Sequence, residues 1–163
     1  MMKTIASFIF FLMIACLFSI NKDTASYPSY EWKLPPSIIN CIDSIDMDQK
    51  IFAKSTKFWE DQGHSFLFKE NYRGDLCVSP IPHGFIVIKL SYNLPYDVLG
   101  KTERIFMDNT HEMQGSIIYL NYIYTDDDIV LIHEIGHALG YKHVDKIGHI
   151  MNPLRTNADY YFY

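Results

Sequence analysis

Three histidines and one glutamate have the residue types and the spacing of a hydrolytic metal site. His133 and His137 are four residues apart, so on a helix both imidazoles lie on one face and can bind one ion. Glu134 lies roughly 100° further around, where it can reach a water on that ion without binding the ion itself. Gly140 can end the helix with a positive φ, and the turn would bring in His143 as a third nitrogen ligand.

This pattern favours a catalytic Zn²⁺ site over a helix that is merely rich in histidine. Three protein ligands leave a fourth position for water, whereas structural zinc sites are closed by four ligands. The motif HExxH arises by chance in about one chain in a few hundred of this size, and the added glycine and third histidine lower that by roughly 10³. A buried imidazole or carboxylate on an apolar helix also needs a partner, which zinc supplies.

The elements that position these residues are predicted to form a mixed α+β domain of one strand, one helix, four strands and a second helix. Residues 94–102 are predicted to be a loop between the third and fourth strands. β-Branched and alternating apolar patterns predict the five strands at residues 37–42, 64–70, 85–91, 104–108 and 115–122.

Two long helices complete the expected domain. The first is predicted to begin at Asp46, which forms a capping box with Gln49, and to stop at Gly63. The second is predicted to begin at Thr125, with three carboxylates at residues 126–128 in its first turn. A helix start accounts for these carboxylates, so a Ca²⁺ site there is less favoured and has no further support.

The N-terminal residues have the pattern of an export signal. A single positive charge at Lys3 precedes an apolar run over residues 5–20, which predicts a secretory signal peptide over residues 1–25. The run is short for a spanning helix, which needs ~20 apolar residues, so no membrane span is expected in the mature form. Lipidation at Cys16 is the less favoured alternative.

The remaining chain is divided into two parts. Residues 26–36 are polar and interrupted by prolines, which predicts a linker or a short prosegment. Residues 37–163 are predicted to be the folded domain that carries the zinc site. Cys41 and Cys77 could pair in an exported protein, which would stabilise it by ~3–4 kcal/mol, or remain two buried free thiols. Sequence does not decide between these two states.

Composition excludes one class of partner. The chain has 163 residues, of which 48% are hydrophobic and 15% aromatic, and this suits one globular domain. Its net charge of −5 comes without any basic patch or basic helix, which argues against nucleic-acid binding.

The stretch HEIGHALGYKH, followed by Met151, resembles the metzincin metalloproteases, whose pattern is HExxHxxGxxH with a Met-turn. Within that clan, HVDKIGHIMNP is similar to the matrixin branch, the matrix metalloproteinases and their small bacterial relatives. Astacins and serralysins would carry a tyrosine two residues after the methionine, where this chain has Pro153. The matrixin cysteine-switch motif PRCGxPD does not occur in the sequence.

The resemblance implies that residues 37–163 are a zinc metalloprotease catalytic domain. It also implies a metzincin-type fold, with a mixed, mostly parallel five-stranded sheet, two long helices and a Met-turn. It implies that His133, His137 and His143 bind the catalytic Zn²⁺ and that Glu134 acts as general base and acid. Met151 would form an apolar floor beneath the metal. His83, His111 and His149 have no role under this resemblance and are expected to be ordinary surface or loop residues.

The function expected from these features is that of a secreted zinc-dependent endopeptidase, acting as a monomer. Residues 104–108 would form the sheet edge that pairs with a protein or peptide substrate bound as an extended strand. The alternative is a catalytically silent secreted zinc-binding module that acts as an inhibitor or partner protein. Glu134 argues against the alternative, because a silent module has no need of a base beside an open metal site.

Overall fold

The computed structural model describes residues 28–71, 74–78, 80, 82–154 and 161–162. The predicted signal peptide and Cys16 lie outside these residues. The predicted domain boundaries therefore stay predictions.

Five strands form one mixed sheet with the spatial order β2-β1-β3-β5-β4. Three of the four strand pairs are parallel, and only β4 runs antiparallel to its neighbour β5. This confirms the predicted mixed, mostly parallel five-stranded sheet. Helices follow β1 and β2 along the chain, so the arrangement is α/β, whereas the predicted class was α+β. The strands are β1 Ser37–Asn40, β2 Lys69–Asn71, β3 Phe85–Ser91, β4 Gly100–Met107 and β5 Glu112–Asn121.

The strand bounds agree best with prediction in the middle of the sheet. β3 has the predicted bounds. β4 begins earlier than expected, because Gly100 already pairs with Leu120 of β5 and the predicted loop ends sooner. β2 is much shorter than expected, because only its last residues form a ladder with β1 at an exposed edge of the sheet.

The helices are α1 Gln49–Asp61, a short α2 Asp75–Val78, and α3 Asp128–Ala138. The predicted N-caps were wrong by two residues in both long helices. Asp48 caps α1 by accepting a hydrogen bond from the Lys50 amide, and Asp127 caps α3 in the same way. Thr125 cannot open α3, since it ends a short 3₁₀ turn at Tyr122–Tyr124.

The core lies between the sheet and the two long helices. α3 is apolar on nearly all sides and is buried over most of its length, which is typical of a central helix. Trp59 of α1 is fully buried and donates its indole N–H to the carbonyl of Ile132 at 2.8 Å. This bond ties α1 to the helix that carries the histidines.

A disulfide joins Cys41, which follows β1, to Cys77 in α2. The two Cα atoms are 5.7 Å apart, within the usual range for disulfides. The structure thus selects the paired state over free thiols, and such pairs persist in oxidising compartments. Among the described residues, no helix combines the length and the apolar character that crossing a membrane requires.

The segment 28–36, predicted as a linker or prosegment, packs against the domain where it is described. The Ser29 amide donates to the Gly140 carbonyl at 2.9 Å, and the Trp32 indole N–H donates to the Ala138 carbonyl at 2.9 Å. Glu31 forms a parallel bridge with Glu112 of β5. These contacts hold the segment at the C-terminal end of α3 and beside the sheet.

Candidate metal centre

The three predicted ligands come together at the C-terminal end of α3. His133 and His137 project from one face of the helix, and His143 approaches from the loop that follows it. One nitrogen from each imidazole lies within 4.8 Å of the others. Within the described part of the chain, these histidines are the one such group of three or more potential ligands.

Two backbone carbonyls orient the helical histidines. His133 donates from Nδ1 to the Ile150 carbonyl at 2.8 Å, and His137 donates from Nδ1 to the Tyr141 carbonyl at 2.9 Å. Because a carbonyl only accepts, the proton of each neutral ring must be on Nδ1, and Nε2 keeps a lone pair for a metal. Such outer hydrogen bonds accompany nearly all metal-binding histidines.

The third histidine is positioned by a turn. Gly140 has a φ of +102°, which favours glycine, and it reverses the chain after α3. The Val144 amide then donates to the Met151 carbonyl at 2.9 Å and closes the loop. As a result, Nε2 of His143 is 3.1 Å from Nε2 of His137, close to the ~3.3 Å that separates two ligands of a tetrahedral zinc with Zn–N bonds of about 2.0–2.1 Å.

Met151 packs directly under α3. Its side chain is fully buried, and a Cβ added at Gly136 would lie 2.3 Å from its sulfur and 2.6 Å from the Trp59 ring. The close approach of these side chains therefore requires a glycine between Glu134 and His137. Tyr161 supports the chain next to Met151, since the Ile150 amide donates to the Tyr161 carbonyl at 2.7 Å.

Glu134 is buried beside the histidines, with 6% of its surface exposed. Its carboxylate lies 2.5 Å from the Thr102 hydroxyl of β4. Burial raises the pKa of Glu134 to about 7, while the Thr102 hydrogen bond opposes that rise. Gly100 leaves room for this carboxylate, because a Cβ there would lie 2.7 Å from Glu134 Cγ.

Gly100 and Thr102 are residues of the candidate site that sequence reasoning missed, because both fell in the predicted loop. Glycine followed by an alternating pattern is a weak strand signal, and Gly100 pairs with Leu120, which lies at the far end of the next strand. The one available signal was the period-two spacing of Gly100, Thr102 and Arg104, which places all three on one face of a strand.

The histidines are held in the neutral form that metals bind. Burial lowers the pKa of His133, and burial together with the neighbouring His133, His143 and Arg104 lowers the pKa of His137 to about 4. Burial and the positive charge of Arg104 also lower the pKa of His143.

Two cavities adjoin Glu134. The first, a pocket of about 260 Å³, adjoins His133 and is lined mainly by apolar side chains. The second, called here the basic cleft, is about 580 Å³ and lies beside His137 and His143. Its other lining residues are Gly100, Lys101, Thr102, Arg104, Glu134 and Lys142.

The remaining histidines and acidic residues have other contacts. His83 is exposed and bonds Gln114 at 3.2 Å, and His111 is exposed and stacks on Tyr30. His149 lies in a loop as expected, but it is buried and accepts a hydrogen bond from the Met151 amide. At the start of α3, Asp128 forms an ion pair with Lys54 at 2.5 Å.

Comparisons with known proteins add no family to this description. No protein-family model matches the chain, and no curated protein matches it. The resemblance to metzincins therefore depends on the motif residues.

Proposed function

We propose that this chain is a secreted zinc-dependent endopeptidase of the metzincin type, similar to matrixins. The observation that carries the proposal is the convergence of His133, His137 and His143 beside the buried carboxylate of Glu134. An all-nitrogen set of three imidazoles suits Zn²⁺ better than Ca²⁺ or Mg²⁺, which prefer oxygen ligands. Three ligands also leave a position free for water.

Glu134 has the position and the environment of a general base. Bound zinc would lower the pKa of a water and polarise the substrate carbonyl. Glu134 would take the proton of that water and later pass it to the leaving amine, so that a peptide bond is hydrolysed. Burial raises the pKa of this carboxyl to about 7 in the metal-free protein, and a bound dication would lower it toward the ionised form that accepts a proton. Thr102 would hold the carboxylate in place.

The substrate would bind as an extended strand along β4. This strand is at the edge of the described sheet, and it pairs with β5 on one side. Its row of Gly100, Thr102 and Arg104 faces the histidines, so a peptide added at this edge would pass over them. The 260 Å³ pocket beside His133 would accept an apolar side chain next to the scissile bond.

Secretion is supported by two independent features. The N-terminal sequence has the pattern of a signal peptide. The disulfide between Cys41 and Cys77 also suits an oxidising compartment.

The decisive experiment is peptide release from casein and from a quenched peptide library by the zinc-loaded protein, with and without a chelator. We expect cleavage that chelator abolishes. The variant Glu134→Ala should bind zinc but lose turnover by ~10²–10⁴ or more, because it lacks the base. His83→Ala, at an exposed histidine outside the site, is the matched control.

A folded, zinc-loaded protein that cuts no peptide across broad libraries would contradict the protease assignment. That result would support the silent zinc-binding module instead. Cleavage that Glu134→Ala retains in full would leave the protease but remove its proposed base.

A further inference from the structure

The basic cleft has a charge that contrasts with the rest of the protein. The chain has a net charge of −5, yet Lys101, Arg104 and Lys142 all line this one cleft. Lys101 is neutralised locally, since its ammonium is 2.7 Å from the Glu103 carboxylate. Arg104 and Lys142 form no ion pair with any carboxylate of the described residues.

Arg104 has an unused hydrogen-bond donor. Its Nη1 atom is buried and has no hydrogen-bond partner among the described residues. The guanidinium lies 5.8 Å from the centre of the Tyr30 ring, and this contact holds it in place without using that donor. A buried guanidinium nitrogen without a partner is costly, so an incoming acceptor would be favoured.

The position of Arg104 relates it to the substrate path. Gly100, Thr102 and Arg104 are alternate residues of β4, so they lie on one face of the strand. Gly100 and Thr102 adjoin Glu134, and Arg104 lines the basic cleft together with His137 and His143. An extended peptide along this edge would therefore pass Arg104 about two residues from the bond beside Glu134.

We propose that the basic cleft binds a carboxylate of the substrate, held by Arg104 and Lys142. A guanidinium matches a carboxylate through paired N–H donors, and Lys142 adds a second positive charge in the same cleft. The carboxylate is that of an Asp or Glu side chain near the scissile bond. This inference rests on the proposed function, because the carboxylate is taken to belong to a peptide substrate.

The test uses binding as well as cleavage. The zinc-loaded Glu134→Gln variant, which keeps the shape of the site, is titrated with fluorescent peptides in which one Glu is moved through each position. Each peptide is paired with the same peptide carrying Gln. We expect the Glu peptide to bind about tenfold more tightly at one position, as one charge-assisted contact implies. Peptides with a free or an amidated C-terminus distinguish a side-chain carboxylate from a terminal one.

Three substitutions in that background assign the preference to residues. Arg104→Gln should reduce the Glu-over-Gln preference to about twofold or less, and Lys142→Gln should reduce it by about threefold. Lys50→Gln, at an exposed lysine on α1 far from the cleft, should keep it. Lys142 is exposed, so its variant tests the inference even if Arg104→Gln does not fold. Raising the salt concentration should weaken the preference, because the cleft is open.

The outcomes separate this inference from the proposed function. Cleavage or binding with no Glu preference at any position would overturn the carboxylate site, as would a preference that both cleft variants retain. A preference for a C-terminal carboxylate alone would overturn its assignment to a side chain. Glu-selective binding without any hydrolysis by the Glu134-containing protein would support the cleft but contradict the protease.

Discussion

His133 and His137 lie on a buried helix, whereas His143 lies on an exposed loop that returns beside it. The helical pair needs only the 3.6-residue repeat to face one point, and backbone carbonyls hold both rings. His143 depends on the turn at Gly140 and on one amide bond to the Met151 carbonyl. Local geometry thus accounts for two of the candidate ligands, and tertiary contacts account for the third.

The largest expected effect is on zinc affinity, and it distinguishes the helical pair, His133 and His137, from the loop histidine, His143. His137→Ala should weaken zinc binding by more than about 100-fold, because loss of even an outer hydrogen bond costs up to that much. His143→Ala should cost less, since the carbonyl-oriented helical pair remains. Competition with a chelator of known affinity measures both. An unchanged affinity in His143→Ala would remove the loop histidine from the site.

Gly140→Ala tests how much the loop that carries His143 depends on the turn at Gly140. Alanine at a φ of +102° is strained, and its Cβ would lie 1.9 Å from the Tyr30 carbonyl oxygen. We expect the free energy of unfolding to fall by about 2–4 kcal/mol in urea titrations of the metal-free protein. Gly63→Ala is the matched control: its φ is +91° with nothing within 4 Å, so strain alone should cost about 1 kcal/mol.

Gly136→Ala tests whether the helix that carries His133 and His137 is independent of tertiary packing. Alanine is the better helix former by about 1 kcal/mol, but its Cβ would overlap Met151 and the rigid Trp59 ring. We expect a net loss of about 1–3 kcal/mol in the same urea titrations. A higher free energy of unfolding in Gly136→Ala would show that helix propensity outweighs packing and that the Met151 side chain moves easily to make room.

The smallest expected effect is the pH dependence of stability that His64 contributes. Tyr141 connects this residue to the histidine cluster. The carbonyl of Tyr141 orients His137, and its hydroxyl lies 2.8 Å from Nε2 of His64. Burial lowers the pKa of His64 from 6.5, so protons bind the unfolded chain first. The stability that His64 contributes in the metal-free protein should be full above pH 6.5 and should decline as the pH falls below it.

Unfolding titrations at several pH values between 5 and 8 measure this decline. The other buried histidines contribute in the same direction, and Glu134, whose pKa burial raises to about 7, contributes in the opposite direction. The contribution of His64 is therefore measured as the difference in slope between the protein and His64→Gln, which should have less of this decline. A slope that His64→Gln leaves unchanged would show that burial of His64 does not couple to folding.

Much of the sheet was predictable because its central strands are continuous apolar runs bounded by turn residues. β3 was found at its predicted bounds. The start of β4 was missed, since Gly100 and Thr102 belong to a strand only through pairing with β5. The helix caps were missed by two residues, because several neighbouring Asp, Ser and Thr side chains can compete for the same amides.

The sequence by itself determined that His133 and His137 share a helix face with Glu134 beside them, because that geometry depends only on residues a few positions apart. Only the tertiary structure decided that Thr102 holds the Glu134 carboxylate, that Arg104 faces the basic cleft, and that Cys41 pairs with Cys77. These contacts join segments distant in the chain. Their distances follow from the packing of the sheet against α3, which no local pattern encodes.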